Sequence, residues 1–240
     1  MFGKIEMKFI KFASLFFVTL TLIAGIAIPV VPDTQSWFQF PSIPGLEEKA
    51  RNIFFHVPIA WTSFLAFLVS LFYGYRFLRT REMENDIKSV SAAGLGTLFC
   101  VLATITGSIW AKFNWGAFWN WDPRETSIFI LLLVYGAYFA LRSALNSDEV
   151  RARLSAVYSI LAGLTAPFFI FVLPRLVTGL HPGAKSDANG ASPVIQLQME
   201  PNMVIVFFAG LIGFSLLFFW LFMLRVKIEN LEQKISSHNL

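Results

Sequence analysis

Six apolar runs, each near the roughly 20 residues that a helix needs to cross hydrocarbon, constrain this chain more than any other feature. They cover residues 9–28, 53–75, 89–111, 125–145, 154–177 and 203–224. A bilayer offers backbone N–H and C=O groups no partner, so such spans fold as helices that satisfy their own hydrogen bonds. Only 14% of the residues are charged, whereas soluble domains carry about 25%. The expected fold is therefore all-α: a polytopic integral membrane protein with six transmembrane helices, residues 1–240 forming one domain. The first run could also be a signal peptide, because Lys4, Lys8 and Lys11 precede it and Gly25-Ile26-Ala27 is a passable cleavage site. Its apolar core, Phe12 to Val31, exceeds the usual ~7–15 residue h-region, which favours a retained helix.

Lys and Arg near the helix ends set the orientation. With the N-terminus inside, thirteen of the nineteen fall in inner segments and six in outer ones. Both termini are then cytoplasmic, with residues 226–240 as an inner tail. The outer loops are 29–52, 112–124 and 178–202. The last is rich in Gly, Pro, Ala, Ser and Asn and reads as mobile.

Several functions lack support. No stretch gathers Lys and Arg into a nucleic-acid groove. The single cysteine, Cys100, offers neither a dithiol nor a Cys-x-x-Cys-His site and reads as a small apolar filler. There is no Gly-x-x-x-x-Gly-Lys-Ser/Thr loop for ATP, and no internal repeat of the kind that builds inverted-repeat transporters.

The middle outer loop carries the chemistry. Trp115, Trp119 and Trp121 fall within seven positions, and indoles gathered on one loop make a stacking surface for a flat, apolar ligand. An interfacial belt spreads single tryptophans over many helix ends, as Trp37, Trp61 and Trp220 do. Phe118 either joins the platform or dips into lipid. Gly116 lets the loop turn sharply or approach a ligand.

Two of the three histidines lie on the same side. His56 opens the second helix, with Pro58 two residues on, and His181 opens the third outer loop; His238 sits in the inner tail. Taken singly, His56 reads as a buried helix-start histidine and His181 as a solvated loop residue. Together, beside three indoles, they suit paired axial ligation of haem iron. Their ligating nitrogens would then lie on the order of 4 Å apart, twice a ~2 Å metal–nitrogen bond.

Asp122-Pro123-Arg124-Glu125 reads as a helix start, with Asp122 as N-cap, Pro at the first position and Glu at the third. Asp122 and Glu125 thus shape the loop. Arg124 opposes the helix dipole in that first turn, so it is better explained by a carboxylate ligand such as a haem propionate. Arg51 and Arg175 are candidates for a second propionate, or else snorkel to the headgroups.

The pattern Trp-Gly-x-x-Trp-x-Trp-Asp, flanked by two outer histidines, resembles the tryptophan-rich haem-handling proteins of cytochrome c biogenesis (the CcmC/CcsA type). The segment Phe55-His56-Val57-Pro58-Ile59-Ala60-Trp61, six helices and a histidine after the fifth extend the likeness over nearly the whole chain, closest to the CcmC branch. The resemblance implies that His56 and His181 are axial ligands of haem b, whose edge rests against Trp115, Trp119 and Trp121. It also implies delivery of haem, at the outer face of the bacterial cytoplasmic membrane, to a haem chaperone (CcmE-like). The implied neighbours are an ABC transporter (CcmA/CcmB-like) and a small single-helix protein (CcmD-like). Two departures stand out. Phe118 occupies a position where closer relatives often have Trp, and the run Asp122 to Thr126 is nearer the CcsA-like synthetases. Those are longer and carry two further histidines inside the membrane, where this chain has none.

A binding and delivery protein, rather than a turnover enzyme, is the leading expectation. The alternatives are a haem-attaching synthetase subunit, a haem permease and a bis-histidine electron carrier. A permease would want polar groups at mid-depth, and the runs offer few beyond Thr104, Thr106, Ser108 and Thr165. An electron carrier across the membrane would need two haems, and only one outer histidine pair exists.

Overall fold

The computed structural model describes residues 4–181 and 199–238. In chain order it contains α1 (Lys4–Ala27), β1 (Val30–Val31), β2 (Phe40–Pro41), a 3-10 turn (Glu47–Asn52), α2 (Ile53–Thr80), α3 (Met83–Trp115) and α4 (Pro123–Ala144). It continues with α5 (Asp148–Pro167), a π-helical turn (Phe168–Val172), α6 (Leu173–Leu176) and α7 (Pro201–His238). Among the described residues, six helical stretches are long and apolar enough to cross a membrane, so the protein is a six-span integral membrane protein.

The helices outrun the apolar runs that predict them. α3 starts at Met83 rather than residue 89, because Glu84 and Asp86 suit a first turn and Glu84 pairs with Lys88 at 2.7 Å. It also runs on to Trp115, which therefore stands on a helical turn and not on a free loop. α7 continues beyond the last apolar run, through the inner tail as far as His238. The fifth span is interrupted: Pro174 has no N–H to return to the preceding turn, and the widened π turn lies just ahead of it. Most of the third outer loop, with its expected mobility, lies outside the described residues.

α2 is the central helix, packed on α3, α5 and α7, with α1 laid along α7 and α4 along α5. Close approach depends on small residues, as membrane helices without a hydrophobic driving force require. A Cβ at Gly96 would lie 2.6 Å from the Phe67 ring, and one at Gly163 would lie 2.7 Å from Leu71. Phe67 stacks on Tyr135 at 3.7 Å, joining α2 to α4. At the end of the bundle remote from the tryptophans, Arg142 of α4 donates to both oxygens of Asp86 on α3, at 2.7 and 2.9 Å. Both side chains are largely buried, so this bidentate pair staples the two helices.

At the opposite end, the segment between α1 and α2 folds down. β1 and β2 pair in parallel, Val30 opposite Phe40. The guanidinium of Arg51 donates to the carbonyls of Gly25 and Ile28 and pairs with Glu48, satisfying carbonyls that the end of α1 leaves open. Asn202 donates to Trp37 O and Gln39 O, fixing this segment to the start of α7.

Candidate functional site

The two histidines come together. His56 stands in the first turn of α2 and His181 five residues beyond α6, yet their ring centres are 6.4 Å apart with the planes at 59°. A cavity opens beside them, bounded by α2, α3, α4 and the π turn; Trp115, Trp119, Arg124 and Ile170 are on its wall. A second cavity reaches toward Leu46 and Ala50 and shares His56, Gly107, Trp110, Arg124 and His181 with the first. The histidine pair thus sits where the two meet.

His56 is held by α3. Its Nδ1 lies 3.0 Å from Thr106 Oγ1, and the Thr106 hydroxyl hydrogen is already given to the carbonyl of Leu102 or Ala103. Thr106 can therefore only accept, so Nδ1 carries the proton and the Nε2 lone pair is left for a ligand. The ring approaches so closely because residue 107 is glycine: a Cβ there would lie 2.9 Å from His56 Cε1.

His181 is held by aromatic edges and by its own backbone. Trp110 and Trp115 present T-shaped contacts at 5.8 and 5.9 Å, and they meet each other at 5.1 Å. Trp110 is itself anchored, its Nε1 donating to Lys49 O at 3.1 Å. Exclusion from water, reinforced by Arg124 and His56 nearby, pushes the His181 imidazole down to about 3. It is neutral at physiological pH, the state a metal ligand requires.

The tryptophan loop is fixed at both ends. α3 stops at Gly116, whose φ of 86° is the left-handed cap that glycine permits. α4 starts with the expected capping box. Asp122 Oδ1 accepts from Arg124 N at 2.9 Å, and Glu125 Oε2 accepts from Asn120 N and Asp122 N. The other oxygen of Asp122 reaches out of the loop: Leu180 N donates to it at 2.7 Å and His181 N at 3.3 Å. Asp122 is 3% exposed, so a carboxylate expected mainly to cap a helix also binds the chain that carries His181.

The remaining candidates divide. Trp115, Trp119 and Arg124 line the cavity. Phe118 and Trp121 do not; they are 58% and 69% exposed, and Trp121 turns outward through a positive φ of 56°. The expected three-indole shelf is thus two indoles of the loop plus Trp110. Arg51 is spent on α1, away from the cavity. Arg175 is exposed and donates to Phe171 O, yet it lies near enough to Arg124 for the two cations to repel. Among the described residues Arg124 makes no ion pair of the usual length, and its buried Nε has no partner. Two neighbouring guanidiniums, one of them half-buried with an unpartnered Nε, suit an anionic ligand.

Trp110, Thr106 and Gly107 were not among the expected site residues. Their signal lay in the third run itself, where Trp110 precedes Trp115 by five positions and Thr106-Gly107 interrupts apolar sequence near its end. Among the described residues no three His, Cys, Asp or Glu groups converge as a metal cage. Two imidazoles alone leave a bare ion under-coordinated, so the donor set fits a metal that brings its own in-plane ligands, as a porphyrin does.

A family model described as CcmC, heme exporter protein C, matches residues 2–240. The chain is 32% identical over 187 residues to heme exporter protein C of Bradyrhizobium diazoefficiens, covering 78% of this chain and 69% of that one. It is 28% identical over 216 residues to heme exporter protein C of Paracoccus denitrificans, covering 90% and 88%. A shorter likeness, 35% over 82 residues, is to cytochrome c biogenesis protein CcsA of Gossypium barbadense, covering 34% and 25%.

Proposed function

This chain belongs to the heme exporter protein C (CcmC) family, and we propose that it binds haem between His56 and His181 and delivers it to a haem chaperone during c-type cytochrome biogenesis. The observation that carries this reading is the 6.4 Å between the imidazole centres. Two ~2 Å metal–nitrogen bonds, with about 1 Å more from each nitrogen to its ring centre, span about 6 Å. The separation therefore suits a single iron between the rings. Bound haem would supply an iron able to accept the imidazole nitrogens of His56 and His181. The protein supplies the rest: Thr106 presents Nε2 of His56, Trp110 and Trp115 wall His181, and Arg124, with Arg175 beside it, receives the propionates.

The haem is b-type, held without thioether bonds, because the one cysteine is buried in α3, within the span. The excess of Lys and Arg at the opposite end supports a site on the outer face with both termini inside; in this reading the membrane is the bacterial cytoplasmic one and the face periplasmic. The partners are the chaperone (CcmE-like), the CcmA/CcmB-like transporter and a CcmD-like single helix. Binding and transfer need no general acid or nucleophile, and the cavity's chemistry is coordination rather than turnover.

The test is the absorption spectrum of the detergent-purified protein. His56→Ala and His181→Ala should each lose the bis-imidazole Soret and α/β bands and fail to load the chaperone. Parent spectra in both variants would overturn the ligand assignment. The likeness to CcsA favours one second reading, a subunit that attaches haem to apocytochrome directly. Thioether formation without any chaperone in a reconstituted assay would establish that reading instead.

A further inference from the structure

We infer that Asp122 is a positioning residue for the second imidazole: its outward oxygen latches the His181 backbone to the start of α4, and so holds the ring against the indoles of α3. The inference rests on the haem-ligand reading above and names how that site is assembled.

The two histidines are supported in different ways. His56 lies within a continuous helix, and its ring is hydrogen-bonded to Thr106 on the neighbouring one. His181 lies beyond the last helical turn of α6, which ends at Leu176, and four residues of non-helical chain, 177–180, separate it from that helix. Asp122 ties its main chain to the scaffold, accepting from Leu180 N at 2.7 Å and His181 N at 3.3 Å across 58 and 59 positions of sequence. A carboxylate accepting from backbone amides in a buried setting makes a stronger bond than a neutral acceptor would. The same carboxylate caps α4 through Oδ1. Its two oxygens therefore divide two tasks, and one carboxylate ties the end of the tryptophan loop to the start of the His181 loop.

Asn and Ser at an N-cap keep an oxygen for the helix amide, but neither keeps a second carboxylate oxygen for the Leu180 and His181 amides. Asp122→Asn and Asp122→Ser therefore separate latch from cap. In haem-free protein, hydrogen exchange at the Leu180 and His181 amides should quicken roughly tenfold or more in both variants, while the first-turn amides of α4 keep parental protection. In haem-loaded protein, both variants should lose the bis-imidazole spectrum as His181→Ala does, and added imidazole should restore it in all three. Parental exchange at residues 180 and 181, or a parental haem spectrum in both Asp122 variants while His181→Ala loses its own, would overturn the latch. A parental spectrum in His181→Ala itself would instead overturn the ligand reading, and the exchange result would still decide whether Asp122 holds the loop.

Discussion

Gly107 is the position where a single methyl group should separate stability from ligand binding. In Gly107→Ala the new Cβ would lie 2.9 Å from His56 Cε1, 3.5 Å from Nδ1 and 3.7 Å from Nε2. Ordinary contact needs about 3.5–4.0 Å between carbon atoms, so the ring must retreat by about half an ångström to one ångström. Metal–ligand bonds tolerate only about 0.2 Å, so that retreat is several times what coordination allows. The Nδ1 contact to Thr106, already 3.0 Å, would be stretched or swung off line as well. The fold has more room. Overpacking typically costs about 1–3 kcal/mol, and replacing a helix-interior glycine by alanine returns about 1 kcal/mol. A net loss of about 0–2 kcal/mol leaves the protein folded.

Gly107→Ala should therefore purify normally, with a thermal midpoint near that of the parent. Its haem affinity should fall about 10–100-fold, the range seen when support around a metal ligand is lost. Haem titration followed at the Soret band measures this directly. Gly136→Ala is the control, because a Cβ at that α4 position meets nothing within 4 Å, and it should leave spectrum and affinity unchanged. Parental affinity in Gly107→Ala would refute the argument that glycine at 107 makes room for His56.

Breaking the staple at the other end should do the reverse. Asp86→Ala or Arg142→Ala strands a buried charge, expected to cost about 3–5 kcal/mol, seen as a lowered thermal midpoint in detergent, and the double variant should recover part of it. Trp110→Phe keeps a ring beside His181 but removes the bond to Lys49 O; haem should bind more weakly while the bis-imidazole spectrum survives in the bound fraction. The haem-free protein should lose stability in acid. The folded His181 ring sits at about 3, against an ordinary value near 6.5, so the unfolded chain binds the extra proton between those limits. Its contribution is complete above pH 6.5 and is lost as pH falls toward 3; unfolding midpoints measured from pH 7 to 4.5 should fall less steeply in His181→Ala.

Much of this protein was legible without coordinates. Six spans follow from hydropathy, because lipid demands that each backbone satisfy itself within one helix. The cap at Asp122 and the turn at Gly116 are likewise local facts, written within four residues of each other or in one backbone angle, so both were readable. His56 and His181 were suspected because few imidazoles occur and charge bias put two of them on one side.

Distance and direction were decided only in three dimensions. Sequence spacing cannot show that Trp121 turns outward while Trp110, in the neighbouring helix turn, faces His181; that depends on a positive φ at one residue and the azimuth of α3. Nor can it show that Arg51 is consumed by the open carbonyls of α1 while Arg124 is left facing the cavity. The second oxygen of Asp122 is the clearest instance. Its cap is a bond across two residues, its hold on His181 a bond across 59. The chain's own order therefore determined helices, caps and membrane class, whose interactions are local. The packing of α2, α3 and α4 alone determined which side chains share the cavity, because that choice depends on contacts between residues far apart in sequence.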